Sequence, residues 1–259
     1  MEFNTDTNVG RYRKENQDRV EIFHNQHFHF LILCDGMGGH YGGSLASSIT
    51  IKTFDKEMKG PNFPIDSDQF EDYVQWFKNT IKKAIEEMIN KANGDEAKLD
   101  MGTTVTAALI NTKAQNMSIF NIGDSRTYVL SVDGDLRQVT TDQNLLNNLI
   151  KEGVSEVEAK KVKNHMALVS ALGPYKRRSI AVYNIEPKWY KKIYLVLSTC
   201  DGIHDFVKKP EIENILNNNL YSTMSERIQT LINVALDNDS TDNVSAGVIV
   251  LDNKKNLKG

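Results

Sequence analysis

The sequence predicts one α+β domain, and three observations carry that reading. A chain of 259 residues is long enough for one sizeable core or at most two small domains. One long segment carries a helical apolar stripe, with Phe70, Val74, Phe77, Ile81, Ile85 and Met88 three or four residues apart. Short apolar segments then follow one another across turn residues, the spacing of an antiparallel meander. No internal repeat, low-complexity tract or linker divides the sequence, so residues 1–259 are expected to form one unit.

Taken in order, Glu21–Gln26 reads as a short strand and turn. The run Leu31-Ile-Leu-Cys34 reads as a buried strand that ends in Asp35 and a glycine-rich turn. Residues 44–54 have helical spacing, and Gly60, Pro61 and Pro64 make 59–67 a loop. A helix is expected from Asp68 to about Lys91, with Asp68 and Glu71 as a capping box and Asn93-Gly94 as the stop. Strands follow at 103–110, 115–121, 126–131 and 136–140, the last two joined by the hairpin turn Asp133-Gly134. Residues 141–165 turn helical, with Ser155 and Glu158 opening the second of two short helices. Strands at 179–183 and 193–198 precede a helix opened by Pro210 and another opened by Thr223 with Glu226. A strand at 246–251 leaves a frayed polar tail, 252–259.

Bulk properties exclude several classes. The 31 basic and 34 acidic residues leave a net charge of −3, which argues against a nucleic-acid binder. No run approaches the roughly 18 apolar residues of a membrane span, and the N-terminus lacks the features of a signal peptide, so the expected location is the cytoplasm. Two cysteines make no disulfide framework. Cys34 and Cys200 read as small buried strand residues, or alternatively as thiols that make a neighbouring metal site sensitive to oxidation.

The chemistry lies in aspartates at the ends of apolar segments. Asp18, Asp35, Asp124, Asp201 and Asp242 sit at strand ends or beside them, and Asp205 follows Asp201 by four residues. Each alone reads as a cap or turn. Together they suggest carboxylates gathered in one pocket, which stay ionised only if cations compensate them. Oxygen donors without His or Cys suit Mg²⁺ or Mn²⁺ rather than zinc.

In the order Asn16-Gln17-Asp18, Leu33-Cys-Asp35-Gly-Met-Gly-Gly-His40, Gly102-Thr-Thr104, Gly123-Asp-Ser-Arg126, Ser170-Ala-Leu-Gly173, Ser198-Thr-Cys-Asp201-Gly-Ile-His-Asp205 and Asp242-Asn-Val-Ser245, the motifs resemble those of the metal-dependent protein phosphatases of the 2C type. The form Asp-Gly-Met-Gly-Gly-His is similar to the bacterial branch. The resemblance covers about residues 8–250. It implies a four-layer α-β-β-α sandwich of two antiparallel sheets with a metal cleft at one end. It also implies hydrolysis of phosphoserine and phosphothreonine on proteins by a metal-activated water, opposing a bacterial serine/threonine kinase. A non-catalytic adaptor of the same fold, binding phosphoproteins, is the alternative.

Carried over residue by residue, the resemblance makes Asp35, Asp201 and Asp242 ligands of two Mn²⁺ or Mg²⁺ ions. The Gly36 carbonyl is a further donor, and Asp18 acts through water. Asp124 and Asp205, with Asp201, match positions that hold a third ion. Arg13 matches the arginine that binds substrate phosphate, a task suited to a planar guanidinium. His40 is a candidate general acid or else orders its loop. Residues 143–167 match a variable flap beside the cleft. The chain departs from common family patterns at Gln17, Met37, Gln143 and Ser170, which bears on substrate choice rather than on the metal core. Lys176-Arg177-Arg178 reads as a solvated turn or as a feature favouring acidic phosphosites. Phosphoproteins are the expected partners of a monomeric enzyme, with no nucleic acid or membrane.

Overall fold

The computed structural model describes residues 1–38, 42–251 and 253. Two five-stranded sheets form its centre. The first runs β1 (Phe3–Asn8), β12 (Val244–Val250), β11 (Ile193–Thr199), β8 (Arg126–Ser131) and β9 (Leu136–Gln138). The second runs β10 (Ala181–Ile185), β7 (Asn116–Ile122), β6 (Val105–Asn111), β3 (Phe28–Cys34) and β2 (Arg19–Asn25). All neighbours within both sheets are antiparallel. A two-residue ladder joins β4 (Gly36–Met37) to β5 (Gly102–Thr103) at one end of the sandwich. Helices α1 (Gly42–Met58), α2 (Phe70–Ala92) and α3 (Glu96–Leu99) precede the β6–β9 meander. Short helices α4 (Leu145–Lys151), α5 (Glu156–Ala159) and α6 (Pro187–Tyr190) interrupt the second half. The last three are α7 (Asp201–His204), α8 (Lys209–Asn217) and α9 (Met224–Asp237).

Side-chain alternation explains the four layers. On β3, Phe28, Phe30, Ile32 and Cys34 pack into the cluster formed with α1 and α2, while Leu31 and Leu33 join the layer between the sheets. On β12, Ala246, Val248 and Val250 pack against α8 and α9, while Ile249 enters the inter-sheet layer. Strands buried on both faces need apolar residues at consecutive positions, which is why Leu31–Cys34 reads as a continuous run. A one-residue slip would exchange the two faces, so register is strongly specified. The helix-side layer is aromatic, with Phe77 stacked on Phe120 at 4.0 Å between centroids. Phe30 meets Trp76 edge-on at 5.4 Å. Among the described residues, no helix is long and apolar enough to cross a membrane.

Several expected elements shift. Strand β1 carries no apolar alternation in Phe-Asn-Thr-Asp-Thr-Asn and was not expected; it exists because β12 offers an edge to pair with, from Phe3↔Ile249 to Asn8↔Val244. The strand expected at 179–183 lies at Ala181–Ile185, and the last begins at Val244 rather than Ala246. The capping box at Asp68 does not form: Gln69 is the N-cap of α2 and makes no side-chain cap. Tertiary bonds set that end instead, since the Asn116 side chain donates to the Asp68 carbonyl at 2.8 Å and that of Asn111 to the Ser67 carbonyl at 3.2 Å. Asn93 closes α2 in the left-handed conformation, as expected of a stop. Thr223 and Glu226 form a reciprocal capping box on α9. Pro210 is the second residue of α8, one place later than expected. Most of the polar tail lies outside the described residues.

The stacked pair Phe77–Phe120 joins α2 to the sheet. Phe120→Ala is expected to destabilise the fold by about 3–5 kcal/mol, read as a lower denaturation midpoint at unchanged slope.

Candidate active site

A cleft of about 1000 Å³ opens at the end of the sandwich where β3, β7 and β11 finish and β6, β8 and β12 begin. Arg13, Asp35, Gly36, Asp124, Asp201 and Asp242 all line it. Asp35 leaves the end of β3 and Asp201 the end of β11, so each sheet delivers one Asp-Gly unit. Asp18 is buried close by, its carboxyl within interaction range of Ser245, Cys200 and Asp35. Asp205 closes α7 and acts electrostatically on Asp124 without lining the cleft. The structure therefore brings all the described candidates to one end of the fold. His40 lies outside the described residues.

The glycines of the two units allow close backbone approach. A Cβ on Gly36 would stand 2.4 Å from the Gly43 carbonyl oxygen, and one on Gly202 would stand 1.9 Å from the Asn243 carbonyl oxygen. Gly36 thus lets the chain after Asp35 pack on the start of α1. Gly202 seats α7, and with it Asp201, against the strand that follows Asp242.

Threonines and an asparagine hold the carboxylate backbones. The Asp35 N–H donates to Thr104 Oγ1 at 3.0 Å. Its carbonyl accepts from the Thr103 hydroxyl at 2.9 Å and the Thr104 N–H at 2.8 Å. Thr104 Oγ1 lies 2.7 Å from Ser125 Oγ, which couples Asp35 to the loop that carries Asp124. Below the cleft, Thr127 Oγ1 lies 2.7 Å from Thr106 Oγ1 and 3.0 Å from Ser198 Oγ, a buried hydroxyl relay between the two sheets. Asn243 organises the N-terminal loop. Its amide donates to the carbonyls of Val9 at 2.8 Å and Glu15 at 3.0 Å and accepts from the Gln17 N–H at 2.8 Å. Arg13, carried on that loop, pairs with Asp242 at 2.6 Å.

Sequence reasoning assigned no role to Asn243, Thr103 or Thr104, although their motifs were visible. It also gave Arg126 no partner. Arg126 grips Asp142 in a bidentate pair, with Nε–Oδ1 at 2.9 Å and Nη2–Oδ2 at 2.6 Å, and so braces the loop after β9. Gln143, expected to bear on substrate choice, is engaged structurally: it accepts from the Gly123 N–H at 2.9 Å and donates to the Ser179 carbonyl at 3.0 Å. Ser170 likewise accepts from the Ser179 N–H at 2.9 Å.

The electrostatics show the cost of this gathering. Burial, then the neighbouring Asp18, Asp201, Asp124 and Asp242, pushes Asp35 well above the usual carboxylate range. Burial and Asp242 raise Asp201 to about 8. Burial raises Asp18 and Asp124 to about 6 each. Asp18 Oδ2 and Asp201 Oδ1 are buried without a hydrogen-bond partner. Among the described residues, no three His, Cys, Asp or Glu side chains already converge as a finished metal cage. Orphaned carboxylate oxygens, mutual repulsion and an all-oxygen donor set nonetheless fit a hard divalent cation.

A protein phosphatase 2C family model matches residues 11–237. The chain belongs to the protein phosphatase 2C family. Across 253 residues, 97% of this chain and 95% of the other, it is 28% identical to the serine/threonine phosphatase stp of Listeria monocytogenes. It is 29% identical over 260 residues to the protein phosphatase PhpP of Streptococcus pneumoniae, covering 96% of this chain and 97% of that one. The crystal structure of serine/threonine phosphatase Stp1 from Staphylococcus aureus superposes with a TM-score of 0.81 at 29% identity, covering 97% and 95% of the two chains. The 2C-family fold accounts for the two-sheet sandwich.

Two outcomes are expected of this 2C-family site. The raised carboxylates keep protons in the folded state that the unfolded chain releases near 3.8, so native protein binds more protons between about pH 4 and 8. In chelator, the thermal midpoint should therefore fall as pH rises through that window, and Mn²⁺ should restore it at pH 8; melting curves at pH 5, 6.5 and 8 measure both. Asn243→Ala should cost about 1–3 kcal/mol by removing three part-buried hydrogen bonds, and should speed hydrogen exchange at the Gln17 amide.

Proposed function

We propose that the cleft hydrolyses phosphoserine and phosphothreonine on proteins with divalent cations, Mn²⁺ or Mg²⁺, in a monomeric enzyme that opposes a serine/threonine kinase. The observation that carries this reading is the meeting of Asp35, Asp124, Asp201 and Asp242 with Arg13 in one cleft. A protein phosphatase is the activity that the family and the named serine/threonine phosphatases among its relatives support. A phosphoprotein-binding adaptor is not favoured, because no proposed metal carboxylate is missing. Both cysteines are buried and form no disulfide, which agrees with action in the reducing cytoplasm.

Asp35, Asp201 and Asp242, with the Gly36 carbonyl, would hold two cations, and Asp18 would orient water beside them. Asp124 and Asp205, with Asp201, would hold a third. When bound, such ions supply a water acidic enough to act as a nucleophile at neutral pH, and they offset phosphate charge. The protein's part is positioning. Thr103 and Thr104 fix the Asp35 backbone, and Gly202 seats Asp201 against Asn243. Arg13 offers a guanidinium fork to the non-bridging phosphate oxygens, on a loop that Asn243 keeps in place. Neither Cys34 nor Cys200 serves as a nucleophile: both are fully buried, and burial pushes both thiols well above their usual range. The flap corresponds to residues 143–167, whose ends meet through the Asn144↔Leu168 bridge, and Leu168 lines the cleft. Within that segment α4 buries no residue and α5 only Ala159, so little core resists its movement.

The test is Mn²⁺-dependent hydrolysis of p-nitrophenyl phosphate and of a phosphothreonine peptide. Wild type should turn over both, and Asp201→Asn should lose at least about 10²-fold in kcat, the scale of losing one electrostatic stabiliser. Arg13→Ala should raise KM more than it lowers kcat. A folded, Mn²⁺-binding wild type with no turnover on either substrate would refute the reading.

A further inference from the structure

The basic run Lys176-Arg177-Arg178 plays no part in the chemistry above, yet it is built onto the rim of the cleft. Thr103, whose hydroxyl donates to the Asp35 carbonyl, exchanges two backbone hydrogen bonds of 2.8 Å with Leu172. Ala171, the residue before it, donates its N–H to the Arg177 carbonyl at 2.9 Å. Two backbone pairings thus tie the basic run to the residue that leaves β3. The Lys176 stem also packs on Gly102, where a Cβ would stand 3.1 Å from Lys176 Cε and 3.3 Å from Met37 Cγ. Met37 itself lines the cleft. Arg13 and Lys14 line the cleft from the N-terminal loop.

Three of the cations Lys14, Lys176, Arg177 and Arg178 are open to solvent, and the fourth, Lys176, is 25% exposed. Lys176 pairs with Asp100, whose side chain is 70% exposed, at 2.7 Å. Lys14, Arg177 and Arg178 are exposed and make no ion pair among the described residues. The chain as a whole is acidic, at −3, so this is a local concentration of positive charge and not a general property of the surface. A peptide strand advances about 3.3 Å per residue, which carries residues flanking a phosphorylated one out of the cleft and over its rim.

We propose that Lys176, Arg177 and Arg178 form, with Lys14, a subsite for acidic residues flanking the phosphorylated residue of a protein substrate. The proposal rests on the phosphatase reading and adds the substrate class. Exposed ion pairs are individually weak, so the selectivity is modest and falls with salt.

The experiment compares kcat/KM, in Mn²⁺ at low ionic strength, on three phosphothreonine peptides that differ only in flanking Asp/Glu, Ala or Lys residues. Wild type should prefer the acidic peptide over the lysine peptide by about three- to tenfold, with the preference shrinking at 0.5 M salt. R177Q/R178Q should shrink that ratio, and R177E/R178E, whose two carboxylates offset Lys14 and Lys176, should bring it near one. Melting curves establish that both variants are folded. Equal kcat/KM on the three peptides for wild type, or an acidic preference that persists in folded R177E/R178E, would overturn the subsite. Failure of the phosphatase reading would show separately, as absence of wild-type turnover on p-nitrophenyl phosphate.

Discussion

Like charge held in a confined space is the constraint on which this structure depends. Asp35, Asp124, Asp201 and Asp242 share one cleft, Asp18 lies buried beside them, and burial with mutual repulsion drives Asp35 and Asp201 far from their ordinary values. Carboxylates free to move would separate. They do not, because each is carried by backbone that the fold holds in place. Asp35 is bracketed by Thr103 and Thr104, and Asp201 rides on α7, which Gly202 seats against Asn243. The sandwich thus holds together an electrostatic demand that the proposed cations would satisfy.

The two-sheet architecture is the means of meeting that demand. Strand ends from both sheets meet at one edge, and the relay Thr106–Thr127–Ser198 satisfies polar groups where the sheets pass each other below the cleft. On the far sides, the aromatic layer under α1 and α2 and the aliphatic layer under α8 and α9 hold each sheet flat against its neighbour. Asn243 links this frame to the loop of Arg13, so one asparagine connects a carboxylate's strand to a cation that faces it.

Much of this was legible beforehand, for reasons that differ by residue. Leu31–Cys34 and the stripe from Phe70 to Met88 announce themselves because their burial repeats with a fixed period. Asp35, Asp201 and Asp242 were readable because apolar strand, carboxylate and small residue recur together. Strand β1 was not readable, since an edge strand held by backbone pairing to β12 needs no apolar side chains. The start of α2 was misread because Asn111 and Asn116, distant in sequence, set it through the backbone of Ser67 and Asp68.

The sequence by itself determined the long helix, most of the strands and the identity of the carboxylates, because local period and residue type are written into neighbouring positions. Only the tertiary structure decided which side chains hold the site in place: Thr104 on the Asp35 backbone, Asn243 on the loop of Arg13, Asp142 on Arg126. It also decided that Gln143 is a strut. These are contacts between residues tens to hundreds of positions apart. Their partners are selected by how the two sheets pack, and no local pattern encodes that packing.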